Sequence, residues 1–289
     1  MTRPRIGTVF LPTWAPEHLK PVALAAEASG LDDLWFWEDC FAESGPAPVS
    51  ATLAWTERIR VGLGLMPVPL RSVAITAMEI ATIERLFPGR FVPVIGHGVQ
   101  RWMGQVGARV ESPLTLLTEY ADALRRLLAG EKVTVEGRYV NLDRVGLKWP
   151  PSPPPPLLLG GEGPKTLALA AAHGDGTMLT SALTEDRIRD MAEIVRDAAV
   201  RQPHQLVAHL VVTRGPDAAA LLAGELKDWP EESRTAGIAA NGPAEVAAAI
   251  DRVAALGATT VLVHSVGAEP DPAGYATWVG AEVAPLVSA

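Results

Sequence analysis

Cysteine is all but missing: the chain holds one, Cys40, among 289 residues. A lone thiol closes no internal disulfide and builds no zinc centre by itself, which excludes a bridge-stapled scaffold and a cysteine metal site. Basic charge is also short, with 25 Lys and Arg against 33 Asp and Glu, a net charge of -8. That balance argues against a general nucleic-acid or polyanion surface, so any anionic ligand must be held by local donors. No apolar run approaches the roughly 20 residues of a membrane span. Walker loops, serine-nucleophile elbows and solenoid repeats are absent as well. What is present is a chain 48% hydrophobic and 20% charged, enough to bury a large core and not disordered. Residues 1–5 lead straight into an apolar stretch without a signal-peptide core, so a soluble cytoplasmic protein acting on a small molecule is expected, with no nucleic-acid or membrane partner.

Strand-like apolar runs alternate with amphipathic stretches from end to end. Eight runs can be counted, at residues 6–11, 33–37, 59–65, 91–95, 156–160, 176–180, 206–212 and 258–264. Helical stretches lie at 16–29, 73–86, 113–128, 164–173, 185–200, 243–256 and 271–287, and one more must fit between 43 and 56. Strands separated by helices run parallel, and eight such units predict a closed (β/α)8 barrel, an α/β fold, as one domain over 1–289. Two stretches break the rhythm. An insert at 130–155 reads as a hairpin turning at Glu136-Gly137, followed by a proline-rich connection from Trp149. Residues 215–242, including Lys227-Asp228-Trp229-Pro230, are long enough for a short helix and a loop over the barrel mouth.

The most informative segment is PGRFVPVIGHGVQRWMGQVG, residues 88–107. A buried strand stops at Gly96-His97-Gly98 and passes through Val99 into a helix beginning near Trp102. Backbone without side chains at a strand's C-terminal end lets a planar or phosphorylated ligand approach, though ordinary βα turns use the same glycines. A second glycine turn, Gly160-Gly161-Glu162-Gly163-Pro164-Lys165-Thr166, leaves a strand and opens a helix with Pro164 at its first position. Free backbone N–H groups there, with Lys165 and Thr166, suit a phosphate; a bare structural turn is the other reading.

With those segments in place, the chain resembles the luciferase-like group of flavin- and deazaflavin-dependent oxidoreductases, and within it the branch using coenzyme F420. The resemblance runs through GTVFLP, LWFWED, VGLGLMPVPLRS, the segment at 88–107, SPLTLLTEYADALRRLLAG, VTVEGRYVNLD and LLLGGEGPKTLALAAAHGDG, in that order. It implies a luciferase-like barrel and hydride transfer between the deazaflavin C5 and a small organic substrate at the mouth. FMN-dependent monooxygenation, or F420 binding without turnover, are the alternatives. It also implies a non-proline cis peptide between Gly64 and Leu65, with Met66 beside it, supporting the face of the ring. By the same resemblance Asp39 hydrogen-bonds the cofactor or its substrate, and Gly96, His97, Gly98, Val99 and the second glycine turn hold the cofactor. A homodimer packing outer helices near strands 2 and 3 is the implied assembly.

Three departures put the relatives' substrates in doubt here. The sugar-phosphate-oxidising branch has a histidine base where this chain has Cys40, and a carboxylate where it has Val99. The methylene-tetrahydromethanopterin reductases place a carboxylate at the position of Val9. A thiol near pKa ~8.5 is a poorer base at neutrality than imidazole near ~6.5. Catalytic candidates are therefore Asp39, His97 and Cys40. His97 lies between two glycines and can touch ligand or cap its turn. Trp14 and Trp102, near strand ends, can wall a substrate or join the core, and His264 can line the mouth or be buried. His209, inside its strand, reads as barrel packing. Arg71 and Arg101 are cations able to meet an acidic cofactor tail.

Overall fold

The computed structural model describes residues 3–227 and 229–288. Four parallel strands come first: β1 (Arg5–Phe10), β2 (Asp33–Phe36), β3 (Arg60–Pro67) and β4 (Phe91–Gly96). After an antiparallel pair, β5 (Val133–Glu136) and β6 (Asn141–Val145), the parallel set resumes with β7 (Leu158–Gly160), β8 (Gly176–Met178) and β9 (Gln205–Thr213). A short β10 (Gly237–Ala239) pairs with the end of β9, and β11 (Thr260–His264) lies between β9 and β1. Pairing of β8 with β9 closes the ring into an eight-stranded parallel barrel with helices outside. Its strands are buried along nearly every residue, as parallel strands covered on both faces must be, which is why they read as continuous Val, Leu and Ile runs.

Proline and short polar side chains start the helices. Pro stands at the first turn of α2 (Pro46–Trp55), α5 (Pro113–Leu128), α6 (Pro164–His173), α9 (Pro243–Ala255) and α10 (Pro272–Trp278), where the missing N–H costs nothing. Ser72 caps α3 (Val73–Leu86) and Thr184 caps α7 (Glu185–Ala198), each accepting an N–H two residues into its helix. The remaining helices are α1 (Leu19–Ala28), the short α4 (Gln100–Gln105) and α8 (Ala218–Leu226). No helix is long and apolar enough to cross a membrane among the described residues.

At the N-terminal end of the barrel, charges lock the strands together. Asp33, fully buried, accepts from Arg5 at 2.8 Å and from Arg60 at 2.9 and 3.0 Å. The Glu27 carboxylate collects the backbone N–H groups of Glu57, Arg58 and Ile59, and Arg90 spans the carbonyls of Thr56 and Ile59. Above this plug Trp35 fills the interior so tightly that a Cβ on Gly62 would stand 2.1 Å from its ring. The interior is therefore closed below and open only at the C-terminal end.

The structure moves several expected features. The hairpin reverses over residues 137–140 and not at Glu136-Gly137, because Glu119 on α5 captures the backbone N–H of Arg138, Tyr139 and Val140 at 2.8–3.0 Å. The stretch at 16–29 begins as a 3-10 turn, Pro16–His18, before α1. The last helix is α10 only to Trp278, then widens into a π turn (Val279–Val283) and tightens into a 3-10 turn (Ala284–Leu286). β10 was not expected, being three residues without a pattern. Asp228 lies outside the described residues.

Candidate functional site

The open end of the barrel holds a cavity of about 370 Å3. One wall is the end of β3, where the Gly64–Leu65 peptide is cis and the register with β4 slips between Leu63 and Met66. Gly64 and Leu65 line the cavity there, as expected, together with Pro67. Met66 does not: the slip leaves it 2% exposed, in the core. Beside this wall stand Gly160, Gly161 and Glu162 at the end of β7, and the lining also takes in His97, Gly98, Val99 and Trp102. Trp229, from the segment after β9, reaches over the mouth.

The glycines serve packing more than the sequence suggests. A Cβ on Gly96 or Gly160 would stand 2.6 or 2.7 Å from the Leu65 side chain, so one leucine occupies the space that both leave open. Gly96 accordingly does not line the cavity. Gly98 has φ +67°, the left-handed region where glycine is favoured, and a Cβ there would meet Pro67 at 2.8 Å. Gly161 makes room for the Thr166 methyl, 2.3 Å from its Cβ position, and buries that residue. Gly163, Pro164, Lys165 and Thr166 lie beyond the cavity wall on the opening of α6. Gly163 caps that helix without a side chain and has nothing within 4 Å of its Cβ position, so no capping side chain satisfies the first N–H groups of α6.

Asp39 sits just past the end of β2 and lines the cavity. Burial, followed by the nearby Glu43 charge, pushes its carboxyl up to about 6, and among the described residues no hydrogen-bond donor reaches it. Its neighbour Cys40 lies off the lining, joined to Phe41 by a cis peptide, and burial with Glu38 and Asp39 raises its thiol further from the thiolate. Cys40 is thus no base for this cavity. Arg71, expected to be free for an acidic tail, forks onto Glu38 at 2.5 and 2.6 Å instead. Arg101 is exposed on α4. No lysine or arginine lines the cavity among the described residues, whereas Glu38, Asp39 and Glu162 do.

Two tryptophans part company. Trp102 lines the cavity; Trp14 packs edge-on against Phe10, and its indole N–H donates to the Gly267 carbonyl, so it belongs to the core and not to a substrate wall. His97 turns Nδ1 toward the Gly98 carbonyl at 2.8 Å, which makes that nitrogen the donor. His264 stands one layer behind the lining. Its Nδ1 meets the Ser265 carbonyl at 2.8 Å and its Nε2 meets Ser181 Oγ at 2.8 Å. Since a carbonyl only accepts, Nδ1 holds the proton, Nε2 accepts, and the Ser181 hydroxyl is the donor. Burial keeps His264 neutral, with its pKa lowered to about 4.

His209, Ser181 and Met178 line the cavity without having been singled out as ligand contacts. His209 had a visible signal, a lone imidazole interrupting the apolar run VAHLVV. Sequence cannot say whether such a group finds a partner, and here neither ring nitrogen does.

A family model described as luciferase-like monooxygenase matches residues 11–223. The chain is 28% identical to a 5,10-methylenetetrahydromethanopterin reductase of Methanolobus tindarius over 62% of its own length and 55% of that protein. The first curated relatives are thus matched over about half their length. It is also 28% identical to an F420-dependent glucose-6-phosphate dehydrogenase of Kineococcus radiotolerans, across 95% of this chain and 94% of that one. Among solved structures, an F420-dependent secondary alcohol dehydrogenase in complex with an F420-acetone adduct superposes with a TM-score of 0.85, covering 100% of both chains at 22% identity, which shows a common fold. Because that family model spans residues 11–223, well over half of the chain, the chain belongs to the luciferase-like monooxygenase family.

Proposed function

We propose that the chain is an F420-dependent oxidoreductase that moves a hydride between the deazaflavin and a small organic molecule lying deeper in the same cavity. The observation that carries this reading is the convergence of three strand tips, those of β3, β4 and β7, on one largely apolar cavity beside the uncapped start of α6. Several matched relatives are named F420-dependent, which supports F420 over FMN.

The residues fit such a group. Leu65 and Pro67 offer a flat apolar face, Gly98 brings backbone to the rim, and the open ground before Gly163 leaves an anion free access to helix N–H groups. Bound there, the deazaflavin would supply a carbon that accepts or gives up a hydride. Trp37, Met178 and Trp229 would exclude water and hold the reacting partner in line. Asp39, with its pKa near 6, is poised to take up or return a proton near neutrality, the task for which Cys40 is unsuited.

Titration of the purified protein with F420 and with FMN, followed by tryptophan fluorescence, tests the reading. F420 should bind and FMN should bind at least tenfold more weakly. Gly163→Glu places a negative charge in open space at the helix start, without the steric clash expected at Gly161, and should weaken F420 binding about tenfold or more. Equal affinity for the two cofactors, or none for F420, would overturn it.

A further inference from the structure

Charge and aromatic surface are unevenly shared around the mouth cavity. Among the described residues no lysine or arginine lines it, whereas Glu38, Asp39 and Glu162 do. Glu38 is answered by Arg71, which forks onto its carboxylate. Asp39 and Glu162 are not: among the described residues neither carboxylate meets a donor, and Glu43 adds a further negative charge close enough to act on Asp39. Carboxylates alone mark no ligand. Here, however, they share one cavity of about 370 Å3 with three indoles, those of Trp37, Trp102 and Trp229. Indole is the strongest of the aromatic partners for a cation, because its ring carries negative charge on its faces.

Resting on the redox reading above, we propose that the substrate is a small organic cation, an ammonium, paired with the Asp39 carboxylate and walled by Trp37, Trp102 and Trp229. A cation is the one guest that both features prefer. An anion would meet two unanswered like charges with no counter-charge on the lining, and an uncharged molecule would leave a largely desolvated carboxylate without an opposite charge. The redox step closes on these groups. The bound ammonium gives one N–H proton to the Asp39 carboxylate, and the resulting amine loses the hydrogen on its α-carbon, with the electron pair, to the oxidised deazaflavin. An iminium with a C=N double bond is left, still a cation. Reduction of that iminium reverses both transfers. Around the same cavity Glu38, Glu162, His97 and His209 also titrate, and Cys40 stands beside Asp39 in the chain, so a variant confined to Asp39 is needed to assign any dependence on pH.

Three molecules of one shape and different charge test the proposal: cyclohexylammonium, cyclohexanol and cyclohexanecarboxylate, titrated calorimetrically into the protein with and without F420. The cation should bind about tenfold or more tighter than the alcohol, and the carboxylate most weakly of the three. At about pH 8, Asp39→Asn should weaken the cation about tenfold or more and leave cyclohexanol within about twofold. In the unmodified protein, affinity for the cation should rise about tenfold between about pH 5 and pH 8, where the ligand stays protonated, and in Asp39→Asn that rise should vanish. Cyclohexanol binding as tightly as the cation, the carboxylate binding tightest, or no binding of the cation overturns the proposal. Failure of F420 to bind removes the redox reading instead, and the charge series on the cofactor-free protein still decides the cation. Should Asp39→Asn not fold, the unmodified protein settles the matter: a rise in cation affinity with pH that cyclohexanol does not share supports the pairing, and a flat profile sinks it.

Discussion

Two aspartates at opposite ends of one strand show how this barrel divides its labour. Asp33 opens β2 at the closed end, fully buried, with two arginines gripping its carboxylate. Asp39 follows the strand's other end, facing the cavity, its carboxyl raised by burial and by the Glu43 charge, with no hydrogen-bond donor among the described residues. One acid is spent on cohesion. The other is held in reserve, at a cost in stability, and barrels of this kind keep their chemistry at that same end.

Removing the committed acid should do the greater harm. Asp33→Ala takes from Arg5 and Arg60, both partly solvent-exposed, the buried carboxylate they share and should cost about 1.5–3 kcal/mol in denaturant unfolding; a loss under about 1 kcal/mol would mean the two ends are not so different. Removing the reserved acid should help. The folded pKa of Asp39 is raised to about 6, above the unfolded value, so the folded state holds the proton longer and stability falls as pH rises from about 4 through 6. Asp39→Asn should therefore stabilise the protein at pH 8 by up to about 2–3 kcal/mol and give no gain below about pH 3.5. A pH-independent difference would remove the titration from the explanation. The finest test lies within the open end alone. Gly96→Ala, wedged against Leu65, should destabilise by about 1–3 kcal/mol, whereas Gly163→Ala, in open space, should stay within about 0.5 kcal/mol. Equal costs would mean that the mouth is packed throughout.

The barrel was legible because its strands are apolar on both faces and most of its helices carry a start signal in Pro, Ser or Thr, α1, α4 and α8 being the exceptions. What escaped was set by distant partners. The hairpin turn moved because of Glu119, about one helix away in sequence, and Trp14 fell into the core because its N–H partner is the carbonyl of Gly267. In the site, Asp39, His97, Gly64 and Leu65 could be read from their places at strand ends. Gly96 could not: its bareness looked like room for a ligand, and only the fold shows Leu65 standing there. His209 packs inside the barrel as expected, 3% exposed. Inside an apolar run a histidine reads as filler, and its unmet nitrogens become visible only once every neighbour is placed.

Trp229 does not reach the mouth alone. With Leu221 and Leu222 it packs on Ala182, Val211, Ala236 and Val266, a cluster separate from the main core. Lifting that flap would wet only its own small patch, at about 25 cal/mol per Å2 of apolar surface, and leave the main core dry. The doorway can therefore be retuned for bulkier or smaller guests without renegotiating the stability of the house.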